Sequence, residues 1–299
     1  MLARLGLIAW LGSLLGLVSC GANQSHDSSL DSWPMPNSVG LGLPNEFAYT
    51  LRGSSDEPVI SDDVTGLDWQ QRTGLERFDF DAAQNHCASS EYAGFADWRA
   101  PTRLELISLL DLSRKNPALL PSAFPSAPSD WYWTSTLDTA NPERAWYVYF
   151  YFGYPDVDDR NTQSLVRCVR RGRAALLHAE RYRVSAELVM DASSGLTWQR
   201  KASPESMSYA EASRYCSDLR LGGLESFRVP TMKELQTLVD ERRSMPAFDS
   251  AMWLGGHGDL FWSSSAWSGT ENLAWYVRFD SGTALYEVAD AAMQVRCVR

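Results

Sequence analysis

The residues of this chain best equipped to do chemistry are aromatic. Tyr147, Tyr149 and Tyr151 recur at every second position, with Trp131 before them and Tyr154 and Asp156 just after. A period of two belongs to a β-strand, so these tyrosines share one face while Trp146, Val148, Phe150 and Phe152 share the other. A tyrosine presents an apolar ring and a polar tip at small entropic cost, which suits stacking on sugar rings or anchoring a protein partner. Trp131, Tyr147, Tyr149, Tyr151, Tyr154 and Asp156 are therefore the candidate ligand-binding residues. The competing reading is that the rings pack under a loop or against a neighbouring domain. Asp156, Asp158 and Asp159 form an acidic run that could offer oxygens to calcium. The run lacks the Asp-x-Asp-x-Asp-Gly spacing of a calcium loop, so a solvated acidic loop is expected and no metal is assigned.

Catalytic patterns are missing around these residues. No Ser/His/Asp order recurs, no glycine-rich loop is built to cradle phosphate, and His86 stands beside Cys87 without a partner in sequence. No catalytic residue and no cofactor is assigned, and the chain is expected not to be an enzyme. A formal net charge of −10 argues against nucleic acid as a partner.

The frame that must position the aromatics is legible from a duplication. An offset of 129 residues carries Asp62–Arg170 onto the second half without a gap. Gly66-Leu67-x-Trp69-Gln70 falls on Gly195-Leu196-x-Trp198-Gln199, and Arg99-x-Pro101-Thr102-x-x-Glu105-Leu106 on Arg228-x-Pro230-Thr231-x-x-Glu234-Leu235. Trp133-x-Ser135 falls on Trp262-x-Ser264, and Val166-Arg167-Cys168-Val169-Arg170 on Val295-Arg296-Cys297-Val298-Arg299. What both copies keep is what the fold needs; what they do not share is what each copy does. Trp146, Val148 and Phe150 are matched by Trp275, Val277 and Phe279, so that face is core. On the other face, Tyr147, Tyr149 and Tyr151 become Tyr276, Arg278 and Asp280. The arginines kept in both copies (Arg99, Arg167 and Arg170 with Arg228, Arg296 and Arg299) read as internal ion pairs or clamps on loop backbone. Arg170 to Arg183 is rich in arginine and could form a local basic patch for acidic glycans.

The chain therefore divides into a signal peptide (1–19), a tether (20–45) rich in Ser, Asn, Pro and Gly, and two domains (46–172 and 173–299) expected to sit near each other. Arg4 and the apolar stretch Leu5–Val18 form the leader, too short for a comfortable membrane span. It ends in Leu17-Val18-Ser19-Cys20, which resembles a bacterial lipobox and implies a lipidated Cys20 as the first mature residue. Gly21 rather than Asp follows, which favours lipid anchorage in the bacterial outer membrane, so the membrane is an expected partner. The remaining four cysteines are spaced identically, and in an exported chain they are expected to pair as Cys87–Cys168 and Cys216–Cys297. The rival, a metal or redox site, has no Cys-x-x-Cys spacing to support it.

Within each copy, a strand carrying Gly-Leu-x-Trp-Gln precedes two helices. The first is capped at Asp79 or Ser208, and the second opens on the capping boxes Thr102/Glu105 and Thr231/Glu234. Short strands follow at 131–135 or 260–264 and at 145–152 or 274–280, with a last one ending at the second cysteine. That is an α+β layout in which each domain pairs two helices with a small, mostly antiparallel sheet.

At these residues the chain resembles the Lcl C-terminal domain family, named for the Legionella collagen-like protein and long of unknown function. The motifs that carry the resemblance run from Gly-Leu-x-Trp-Gln through Trp98-Arg99-x-Pro101-Thr102-x-x-Glu105-Leu106 to Val-Arg-Cys-Val-Arg, in both copies. Ser226-Phe227 in place of Asp97-Trp98 is a mild departure. The resemblance implies a C-type-lectin-like fold in tandem, and its named member is an adhesin that binds sulfated polysaccharides. The expected function is thus a surface lipoprotein acting as a binding or adhesion module for carbohydrate or for an envelope or host protein. The alternatives are a structural envelope lipoprotein with only protein neighbours and an enzyme of the related formylglycine-generating group.

Overall fold

The computed structural model describes residues 35–171, 181–256, 259–268 and 272–299. The leader, Cys20, most of the tether and Arg173 lie outside the described residues.

Each copy is α+β with few helices and small antiparallel sheets. In the first, β1 (Tyr49–Gly53), β2 (Pro58–Asp62) and β3 (Leu67–Gln70) are followed by α1 (Phe80–Ala88) and α2 (Arg103–Ser108). Then come β4 (Trp131–Leu137), β5 (Arg144–Tyr149), β6 (Tyr154–Asp159) and β7 (Val169–Arg171). The strands form two antiparallel sheets, ordered β1-β2-β3-β7 and β4-β5-β6. The second copy repeats the plan with β8 (Tyr182–Val184), β9 (Leu188–Asp191), β10 (Thr197–Gln199), α3 (Tyr209–Asp218), α4 (Met232–Gln236), β11 (Leu260–Ala266), β12 (Leu273–Arg278) and β13 (Ala284–Val288). Even the irregularities recur: the β4–β5 ladder shifts register between Trp133 and Leu137, and the β11–β12 ladder between Trp262 and Ala266.

The shared motifs are the joints of this frame. Thr102 and Thr231 each make a complete capping box with Glu105 and Glu234. The same glutamates also receive a forked pair of bonds from Arg99 (2.6 and 2.5 Å) and Arg228 (2.8 and 2.7 Å). Pro101 and Pro230 lend their carbonyls to the backbone amides of Ser135 and Ser264, tying the start of each second helix to the neighbouring strand. Arg167 and Arg296 are buried, with no carboxylate bonded to them among the described residues, and donate to main-chain carbonyls, those of Gln70 and Gln71 and of Gln199 and Arg200. Burial lowers the Arg296 pKa to about 9. The disulfides Cys87–Cys168 and Cys216–Cys297 are both present, each spanning 81 residues from the first helix to the segment that returns beside it.

Two expectations about β5 and β6 need correction. The strand expected at 145–152 ends at Tyr149, because the chain turns there: the Gly153 amide bonds the Tyr149 carbonyl at 2.8 Å with Gly153 at φ +88°. Tyr151 and Phe152 consequently sit in the turn. The acidic run expected in a loop is the return strand β6, paired with β5 so that Asp156 faces Tyr147 and Asp158 faces Ala145. The matching turn of the second copy holds Gly282 at φ +85°, where an added Cβ would stand 2.6 Å from Val239. Gly282→Ala is expected to destabilise the fold by about 1–3 kcal/mol, read as a lower urea midpoint at unchanged m-value.

The copies are not beads on a string. Each has an apolar cluster around its own disulfide, but the largest cluster is continuous across both, taking Leu106, Ile107 and Phe150 from one and Met232, Leu235 and Phe279 from the other. They meet through the same elements, α2 against α4 and β6 against β13. Arg103, fully buried, crosses the junction to Glu241 at 2.9 Å and to Gln236. Lys233 crosses in the other direction, donating to the carbonyls of Ser108 (2.8 Å) and Leu110 (2.9 Å). Residues 35–38, which composition assigns to the tether, are packed as well: Met35 joins the shared core and Ser38 donates to Asp111 at 2.5 Å.

Candidate functional site

The β4-β5-β6 sheet brings the predicted aromatics together, but to unequal degrees. Ladder pairing sets Trp131 opposite Tyr149 and Tyr149 opposite Tyr154. Trp131 is 37% exposed and lies 5.7 Å from both Tyr147 and Tyr149, measured between ring centroids. Tyr149 then stacks on Tyr151 at 5.9 Å and meets Tyr154 edge-on at 5.6 Å. Tyr149, Tyr151 and Tyr154 are half-buried, each showing part of a ring to solvent. Tyr147 is different: it is buried against Trp133 inside the disulfide cluster and offers little surface of its own.

Electrostatics follow from this burial. The Tyr147 hydroxyl is pushed well above its ordinary range by burial and by Asp156. The Tyr154 hydroxyl is raised to about 12 by burial, with Asp156 adding to it and Tyr147 serving as hydrogen-bond partner. Burial also lifts the Asp156 carboxyl, offset by the Val157 amide at 2.8 Å and by the nearby Arg144 and Arg278. The remaining acids of the run do not converge: Asp158 accepts from the Asp159 amide and Asp159 from Asn161. Among the described residues no group of three or more His, Cys, Asp or Glu side chains is placed to hold a metal.

The tyrosine strip does not end at the first copy. Phe152 in the β5–β6 turn packs on Trp267 of the second copy at 4.9 Å, and Tyr154 approaches Trp275 at 6.1 Å. Trp267 stacks on Tyr286 at 3.8 Å, and Tyr286 is 41% exposed. The result is a continuous aromatic belt, open to solvent at Trp131 at one end and Tyr286 at the other. The sequence reading assigned only its first half. The signal for the rest was present, since Trp267 aligns with Asp138 and Tyr286 with Val157: the second copy also adds aromatics where the first has none.

Other candidates resolve differently. Arg170 is held by Asp68 (2.8 Å) and Asp97 (2.6 Å), and Arg181 by Asp191 (3.0 Å), so these ends of the arginine-rich stretch are paired. His86, exposed on α1, packs on Phe78 with ring centroids 4.5 Å apart. Among the described residues no helix is long and apolar enough to cross a membrane.

Both copies thus show one disulfide-closed frame bearing the same arginine–glutamate fork and backbone clamp. The model of the Lcl C-terminal domain matches residues 58–170 and again 187–299. The chain belongs to that family. No curated protein matches it significantly. In this tandem Lcl C-terminal pair, the joints of the frame are kept in both copies, whereas most of the belt is built from positions where the copies diverge.

Proposed function

We propose that the protein is a lipoprotein anchored in the bacterial outer membrane through Cys20, built on two C-type-lectin-like frames, whose aromatic belt captures carbohydrate. The observation that carries this reading is the belt itself: an unbroken run of rings, exposed at Trp131 and Tyr286 and flanked by phenolic hydroxyls and Asp156. Half-exposed rings in a row stack on the C–H faces of successive sugar units, while hydroxyls and a carboxylate accept or donate to sugar hydroxyls. Its length favours an extended chain over a single residue.

A glycan array probed with the purified protein tests the reading. Binding to at least one polysaccharide is expected, and Tyr149→Ala with Tyr151→Ala should weaken it about tenfold or more, because central aromatic anchors carry most of such an interface. Absence of any glycan ligand, or indifference of binding to that double variant, would refute the belt as the site.

A further inference from the structure

The copies pack through equivalent elements, so their junction has an internal two-fold relation and must generate two related clefts. One is filled by the belt, with Phe152 and Tyr154 of the first copy seated against Trp267 and Trp275 of the second. At the other, the equivalent positions are Ser281 and Thr283 facing Asp138 and Trp146. Three large rings have become small polar groups, the tryptophan is kept, and a cavity of about 260 Å³ remains.

We propose that this open cleft is a second binding site, and that it takes a single uncharged pyranose ring where the twin cleft holds its own rings. The size fits one ring, since sites for drug-sized ligands run to about 300–1,000 Å³. The chemistry fits a hydroxylated one. Trp146 borders the cavity but is almost wholly buried, with the Arg103 guanidinium 5.1 Å from its ring centroid, so the ligand is held mainly by the polar lining. The groups that replace the lost rings are hydroxyls and a carboxylate, able to meet sugar hydroxyls that an aromatic occupant would leave unmet. Charge argues for a neutral sugar: Glu241 is paired with Arg103, Asp280 with Arg278 and Arg243 with Asp240, and the two other charges of the lining, Asp138 and Arg144, are of opposite sign. The site draws on both copies and exists only when they are docked. It does not rest on the belt reading, because no belt residue lines it.

Ligand-observed NMR on the full-length protein in detergent, with the methyl glycosides of glucose, galactose, mannose and N-acetylglucosamine as probes, tests the proposal. At least one should bind with a Kd on the order of millimolar, as expected for so few contacting atoms. Ser281→Phe restores the twin's ring and should weaken that binding about tenfold or more, whereas Tyr149→Ala should leave it unchanged. If Ser281→Phe does not fold, Thr283→Tyr, the other twin residue, makes the same test. The proposal falls if no glycoside binds, if binding survives the filled cleft, if it is lost in Tyr149→Ala instead, or if N-acetyltryptophanamide occupies the cleft in place of every sugar.

Discussion

Replacing Cys87 and Cys168 together with alanine is expected to lower stability by about 2–5 kcal/mol. The bond closes a stretch of 81 residues containing α2, β4, β5 and β6. On the chain-entropy model, a loop of that length adds about 4.5 kcal/mol by restricting the unfolded ensemble. Both cysteines are fully buried beside Trp133, Ala145 and Tyr147, so losing the bond also loosens the cluster beneath the belt. Urea unfolding of the variant against the parent measures the loss, and mass spectrometry of non-reduced peptides checks the pairing. Because the largest core cluster joins both copies, destabilising the first should also lower the midpoint of the second. An unchanged transition for the second copy would mean that the junction contributes little to stability.

Stability is also expected to climb as pH rises from neutral toward 10; Lys233 is the reason up to about pH 9, above which the buried Arg296 adds to the same trend. Its amine is buried at the junction between two carbonyls and 4.7 Å from the Phe47 ring centroid. Burial lowers its pKa from 10.5 to about 7, against the pull of Asp62, Asp111 and Glu234. Between those two values the unfolded chain holds a proton that the folded chain does not, so unfolding takes up a proton and raising the pH favours the fold. The slope should approach about 1.4 kcal/mol per pH unit within that window and vanish below the folded pKa, where both states are charged. The first copy places Leu104 at the equivalent position. Lys233→Leu should therefore flatten the profile, while lowering stability near pH 9 by stripping a donor from the Ser108 and Leu110 carbonyls. Parallel profiles for parent and variant, from urea titrations across pH 7–10, would exclude Lys233 as the source.

Much of the frame was readable before any coordinates. The capping boxes at Thr102 and Thr231 are local, decided within one turn of helix, and a four-residue spacing suffices to read them. The disulfides were readable because each copy of an exported chain holds two cysteines at the same spacing, which points to pairing within the copy. The arginine clamps were readable as a class, though which carbonyls they bind was not. The belt was half legible. Alternation correctly opposed the tyrosines to the valine and phenylalanine face, but it could not show that the strand stops at Tyr149 or that Tyr147 is enclosed by Trp133. A period of two states which side a residue takes and says nothing about what covers that side.

The sequence by itself determined the two closed frames, since helix caps, forked ion pairs and loop closure act within one copy over short or repeated spacings. Tertiary structure alone decided how the copies meet, and with that which tyrosines are buried, which continue into Trp267 and Tyr286, and which cleft stays open. The physical reason is that the junction is a contact between surfaces far apart in the chain, such as Arg103 with Gln236 and Phe152 with Trp267. Its register is set by shape and by the balance of buried charge, and neither leaves a periodic trace in the order of residues.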